Sequence, residues 1–185
     1  MVSPSGPEAR RGRLSVEGHR LMMDKRPFGF RGLSFFNAVF NESLNKDHQG
    51  RQAWLAKFQG HGVTALRVWC QWDFAPPRVF ADVAPERSVF KPDGELSPTY
   101  ADRLCALAEA TGERGMALEV TLFSHERSPN LPVPALEKAA GNVSRLLVPF
   151  RNVVLQIWNE CDTGTERYYE TIKGTDPDRL VTSSP

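Results

Sequence analysis

Phe30-Arg31-Gly32-Leu33-Ser34-Phe35-Phe36-Asn37 (FRGLSFFN) reads as a buried strand over 30–36 that follows Gly29 and runs into a bulky turn. Downstream, apolar strands alternate with helical segments, an order that implies parallel pairing through right-handed crossovers. Doubly wound sheets and (β/α) barrels both have that order. A dinucleotide-binding sheet needs a glycine-rich phosphate turn after its first strand. Ser34-Phe35-Phe36-Asn37 contains no glycine. The expected fold class is therefore α/β, of the (β/α)8 TIM-barrel type.

Working outward, the residues before this stretch suggest a β-hairpin, with Leu14 and Val16 separated by a Glu17-Gly18 turn from Leu21, Met22 and Met23. Residues 1–12, rich in Ser, Pro, Gly and Arg, read as a disordered terminus, which leaves 13–185 as one domain. After the deciding stretch, QAWLAKFQ (52–59) has helical spacing, and Gly60-His61-Gly62 ends it. VTALRVW (63–69) is the second strand and PTYADRLCALAEATGE (98–113) a helix opened by proline. MALEVTLF (116–123) follows as a strand, then a helix over 134–148, the strand NVVLQIW (152–158), a short helix over 165–173 and the start of a fifth strand at 179–182.

A barrel places its chemistry at the C-terminal ends of the strands. Those ends hold Phe35-Phe36-Asn37, Trp69-Cys70-Gln71-Trp72-Asp73, Ser124-His125-Glu126 and Asn159-Glu160-Cys161-Asp162. The opposite ends hold glycine, Asn152 and little else. Polar and aromatic residues thus gather on one side of the sheet.

The bulk numbers exclude several classes. The chain has 185 residues, 41% hydrophobic and 24% charged, as for an ordinary globular domain. A net charge of +1 argues against nucleic acid or an anionic membrane as partner. No run approaches the roughly 18 apolar residues of a membrane span. No signal-like apolar core opens the sequence, so the protein is expected inside the cell unless a signal precedes this stretch. Cys70, Cys105 and Cys161 show no CxxC spacing, and the four histidines no HExxH pattern. Neither a metal nor a cofactor is expected.

An apolar strand ending in Asn159-Glu160 resembles the fourth-strand signature of clan A glycoside hydrolases, especially family 5, the cellulase and mannanase type. Three other segments agree in order. Phe30–Ser34 is similar to the first strand after an N-terminal hairpin, Val63–Val68 to the second strand with its inward Arg67, and Leu122-Phe123-Ser124-His125 to the third. Asp176–Thr182 resembles the approach to strand five. The resemblance implies a glycosidase acting on β-linked oligo- or polysaccharides by a retaining mechanism. It makes Glu160 the acid/base, gives Asn159 the hydrogen bond to the sugar 2-hydroxyl and makes Arg67 a support for the nucleophile. It makes His125 a histidine that binds substrate or backs a residue that does, a satisfied histidine in a polar loop being the alternative.

The chemistry suits these types, since retaining cleavage uses two carboxyls about 5–5.5 Å apart, one protonating the leaving oxygen. Glu160, beside Trp158, is expected to be held protonated by partial desolvation. Arg67 in an apolar strand needs an anionic partner, and a structural ion pair with Glu119 is the alternative to a functional role. Trp69, Trp72, Phe35 and Phe36 are expected to stack against sugar rings, and Asn37 is expected among the substrate-binding residues. Gln156 is expected to pack inside the barrel.

Two departures qualify the expectation. Cys161-Asp162 follows the Asn-Glu pair where the family usually has proline. A complete barrel needs about 250 residues, so the chain is expected to be the first four to five βα units, truncated before the strand-seven nucleophile. A non-catalytic carbohydrate-binding or assembly half-barrel, self-associating through its open edges, is the alternative.

Overall fold

The structure is a computed structural model that describes residues 12–73, 82–124, 131–161 and 163–183. The terminus expected to be disordered lies, apart from Gly12, outside the described residues.

The chain opens with an antiparallel meander rather than a two-stranded hairpin: β1 (Leu14–Glu17), β2 (Arg20–Met23) and β3 (Arg26–Pro27). The two residues joining β2 to β3, Asp24 and Lys25, both have positive φ (50° and 63°), which matches the twist of a tight hairpin. Asp24 offsets that conformation by accepting from the backbone N–H of Gly12 (3.1 Å) and Arg13 (2.8 Å).

Then come β4 (Gly32–Ser34), α1 (His48–Gly60), β5 (Ala65–Trp69), α2 (Pro98–Glu113), β6 (Ala117–Phe123), α3 (Val133–Leu147), β7 (Val153–Trp158), α4 (Glu166–Thr175) and β8 (Leu180–Thr182). A 3-10 turn at Ala38–Phe40 follows β4. The sheet order is β4-β5-β6-β7-β8, every neighbouring pair parallel. Sequential order with right-handed crossovers puts all helices on one face, the geometry of a partial TIM barrel rather than a doubly wound sheet. The first strand is shorter than the 30–36 expected, and Phe30 is 45% exposed instead of buried.

Local signals explain the boundaries. Asp47 caps α1 by accepting from Gly50 N at 2.6 Å. Pro98 takes the first turn of α2, and Gly115 (φ 63°) turns the chain into β6. Gly94 (φ 81°) packs so closely on α3 that a Cβ would lie 2.4 Å from the Ala135 carbonyl oxygen.

Strand alternation sorts the sheet into two faces. Leu66, Val68, Leu118, Val120, Leu122, Leu155 and Ile157 are buried in one cluster with Leu55, Leu104, Leu107, Leu136 and Leu147 of the helices. On the other face, Ala65 and Ala117 form a second cluster with Leu14 and Met23, against which Leu21, Phe28, Val154 and Leu180 pack. The meander thus covers the end of the sheet where the strands begin. The same end is tied by Asn152, whose Nδ2 donates to Ala108 O, Thr111 Oγ1 and Met116 O at 3.0–3.2 Å.

An ion cluster locks the start of β8. Arg179, 3% exposed, donates to the carbonyls of Leu147, Phe150 and Val153 at 2.6–2.8 Å and lies 2.9 Å from Asp176. Asp176, also 3% exposed, takes a second arginine, Arg151, at 2.8 Å. Burial alone would push the Asp176 carboxyl up, but the hydrogen bonds and charges of Arg151 and Arg179 outweigh it and hold the group below its ordinary value. A depressed carboxyl stabilises the fold above its unfolded pKa and loses that contribution as pH falls through the folded one. Asp176→Asn is expected to cost about 3 kcal/mol at neutral pH, by urea denaturation. The difference from the parent should shrink in acid, below the ordinary aspartate pKa of about 3.9; a gap constant down to pH 2 would contradict the assignment.

Candidate active site

Arg67 sits at the centre of β5, between Leu66 and Val68, which are fully buried in the helix-side core. Alternation turns its side chain, 22% exposed, to the opposite face, where the guanidinium meets polar groups of β6 and β7. Its Nε donates to Gln156 Oε1 at 2.9 Å and more weakly to Thr121 Oγ1 at 3.4 Å. Its Nη2 donates to Gln156 Oε1 at 2.6 Å and to Asn159 Oδ1 at 2.7 Å. Thr121 donates its hydroxyl to the same Gln156 oxygen at 2.6 Å. The strand register makes these meetings possible: Thr121 stands beside both Trp69 and Gln156.

The ion pair with Glu119 exists but is the looser contact. Arg67 Nε lies 3.9 Å from Glu119 Oε1, beyond hydrogen-bond reach. Burial raises the Glu119 carboxyl above its ordinary value, and the positive charge of Arg67 only partly opposes this. The structural ion pair is thus present but loose, and the hydrogen bonds of Arg67 go to the strand-end amides. Phe36 lies over the guanidinium, 5.8 Å from ring centroid to Cζ.

Asn159 is half-buried, and its backbone N–H continues the sheet to Phe123 O at 2.9 Å. Glu160 follows it at the C-terminal end of β7 with φ 54°, a left-handed conformation that costs a non-glycine residue about 1–3 kcal/mol and concentrates at functional sites. Its side chain is exposed. Glu160 is exposed rather than enclosed beside Trp158, whose ring stacks with Phe123 (4.8 Å) and Tyr168 (5.8 Å).

The aromatic residues also differ from expectation. Trp69 and Trp72 are 5% and 3% exposed, packed on each other at 5.9 Å, with Phe36 on Trp69 at 4.2 Å. They are core side chains here and present no open ring face. Phe35 packs on Trp54 and Phe58 of α1. Asn37 is drawn to Asp82, donating to both carboxylate oxygens at 3.3 Å. Asp82 also accepts from Trp72 Nε1 at 3.2 Å and from Arg87 Nη1 at 2.6 Å, so it ties the loop after β4 to the loop after β5. His125 lies outside the described residues.

The structure thus brings Arg67 and Asn159 together, with Glu160 next in the chain, and engages Asn37, Trp69 and Trp72 in packing or loop contacts. Sequence reasoning missed the parts played by Gln156, Thr121 and Asp82. The signal for the first two was present, as polar residues in otherwise apolar strands. Near the same strand ends, Asp73 is a carboxyl that burial pushes up, its Oδ1 enclosed with no hydrogen-bond partner. Among the described residues no group of three or more His, Cys, Asp or Glu side chains is placed to hold a metal ion.

No protein-family model matches the chain, and no curated protein sequence matches it. Solved structures do. The fold is similar to a putative glycoside hydrolase from Bacteroides vulgatus (TM-score 0.70, 15% identity, 96% of this chain and 39% of that one). It is also similar to a glycoside hydrolase family 5 protein from the same species (0.57, 16%, 93% and 39%). The catalytic domain of a Thermobifida fusca endoglucanase, solved with cellotetraose, is a further match (0.59, 17%, 95% and 55%). At these identities the likeness is one of fold. The chain spans roughly two fifths of the length of the two Bacteroides proteins.

Replacing Arg67 with Met removes the cation that holds Glu119 down. A carboxyl raised in the folded state stabilises the fold when protonated, fully below its unfolded pKa, and loses that contribution as pH rises through the folded value. Arg67→Met is expected to raise the Glu119 midpoint further, read by carboxyl-carbon NMR titration. An unmoved midpoint would show that the two charges do not interact.

Proposed function

We propose that this chain carries the acid/base half of a retaining glycoside hydrolase site for β-linked carbohydrates, with Glu160 as proton donor. The observation that supports it most is the Arg67–Asn159 hydrogen bond of 2.7 Å. It anchors the Asn-Glu pair at the C-terminal end of a parallel barrel strand, where such folds hold their chemistry. The neighbours in fold are glycoside hydrolases, one of them solved with cellotetraose.

In this reading a sugar binds over the C-terminal ends of β5 to β7. Asn159, its Oδ1 taken by Arg67, presents its amide N–H groups to a sugar hydroxyl. Glu160 protonates the departing glycosidic oxygen while a second carboxylate attacks the anomeric carbon from the other side. Glu160 then takes the proton from the water that releases the glycosyl group. We place the nucleophile outside the 185 residues, on a later strand of a complete barrel.

In a complete barrel, Glu160→Gln keeps the shape and removes the proton. It is expected to slow hydrolysis of substrates with poor leaving groups about 10²–10⁴-fold. Activated aryl glycosides, which need little protonation, should lose far less in glycosylation. Equal losses on both substrate types would assign Glu160 a structural role.

A second reading, an assembly half-barrel, is favoured by the sheet edges. Among the described strands β4 and β8 each pair with one neighbour, and unpaired edges recruit further strands. Tyr169 stands 48% exposed on α4, beside a groove lined by Ile157, Val181 and Thr182. Sedimentation of the purified 185-residue chain should show dimers or larger species in this case; a monomer at 100 µM, about the scale of weak association, would exclude it.

A further inference from the structure

We propose that Gln156 is a positioning residue for the site: a single neutral amide oxygen holds the Arg67 guanidinium and, through it, sets which way the Asn159 amide faces. For its functional meaning the proposal rests on the reading of Asn159 as a sugar contact. The geometry it describes stands without that reading.

Three donors converge on one atom. Gln156 Oε1 accepts from Arg67 Nε at 2.9 Å, from Arg67 Nη2 at 2.6 Å and from the Thr121 hydroxyl at 2.6 Å. An arginine has donors only, so the atom facing it must be an acceptor, which determines the flip of the Gln156 amide. The same argument applies one step further on. Arg67 Nη2 donates to Asn159 at 2.7 Å, so the oxygen of that amide faces Arg67 and its NH2 group faces elsewhere. With the Arg67 fork held on β7 by Gln156, Asn159 is left with a pair of N–H donors that face away from Arg67 at the strand end. Such a pair suits a ligand that offers oxygen acceptors, as sugar hydroxyls do.

The neutrality of Gln156 matters as much as its position. Gln156 is 3% exposed. A carboxylate there would make a close ion pair with Arg67 and cancel its charge locally. An amide oxygen orients the guanidinium and leaves the charge in place. Among the described residues the only carboxylate within ion-pair range of Arg67 is Glu119, at 3.9 Å. No carboxylate among the described residues thus makes a hydrogen-bonded ion pair with Arg67. Thr121 completes the arrangement, accepting weakly from Arg67 Nε while donating to Gln156, so the three side chains close a triangle across β5, β6 and β7.

The test is side-chain NMR of the 15N-labelled 185-residue chain, with cellotetraose as the ligand probe. Gln156→Leu removes the acceptor. It is expected to shift the Asn159 amide pair and to make the Arg67 Nε–H exchange with water about tenfold faster. Gln156→Glu restores an acceptor and introduces a charge. It should keep the Arg67 signal protected, and that signal should now move with pH between about 3 and 7 as the new carboxyl titrates. The parent protein should show only the movement that comes from Glu119, 3.9 Å away, and Gln156→Glu a second step beside it. The proposal is overturned if the Arg67 and Asn159 signals of Gln156→Leu match the parent, or if the Gln156→Glu signal shows no titration step beyond that of the parent. Should the leucine variant fail to fold, the titration of the glutamate variant decides alone. Cellotetraose is expected to bind the parent and to bind Gln156→Leu about tenfold more weakly, consistent with a lost hydrogen-bond partner. A parent that ignores cellotetraose while the NMR signals behave as stated counts against the sugar site and supports the positioning role.

Discussion

Parallel strands joined in sequential order by right-handed crossovers must place their helices on one face of the sheet. Nearly everything else in this protein follows from that constraint. The helix-side face becomes a continuous apolar layer from Leu66 to Ile157. The other face is freed from helix packing, and its two ends take different roles. Where the strands begin, the meander β1–β3 covers Ala65 and Ala117 with Leu14 and Met23. Where they end, polar side chains of three strands meet.

That meeting is an unusual place for a guanidinium, because a buried cation without partners is costly. The fold answers with hydrogen bonds rather than with a close counter-charge. Arg67 is held by amide oxygens of Gln156 and Asn159, while Glu119 stands at 3.9 Å with its carboxyl raised by burial. A strong ion pair would have made the cluster self-sufficient. The observed arrangement leaves the guanidinium held by neutral amide oxygens, next to an exposed glutamate in the chain. The strained backbone at Glu160 belongs to the same picture, since the fold tolerates a left-handed φ of 54° where Asn159 is already pinned on both backbone and side chain.

The ends of the elements differ from expectation where local pattern is weakest. β4 spans only Gly32–Ser34, because Phe30 turns outward before the strand starts. β3, two residues long and held by Met22 and Met23, has no periodicity to betray it. Helices α2 and α3 are bounded by prolines and by a left-handed glycine or a tight turn, which are written in the chain, and they match closely. Tyr168 faces the core and Tyr169 solvent, as helical spacing requires.

What the residues determined by themselves was the order of elements, the barrel-like pairing, and the side of the sheet where polar groups collect. These depend on periodicity, on glycine and proline, and on the steric rules of crossovers, all of which act within a few turns of chain. What only the tertiary structure decided was the partnership of side chains distant in sequence. Arg67 chose Gln156 and Asn159, 89 and 92 residues away, over Glu119 in the adjacent register position. Trp69 and Trp72 became core, and Asn37 was taken by Asp82. Such choices turn on tenths of an ångström and on burial, quantities that exist only once the strands are side by side.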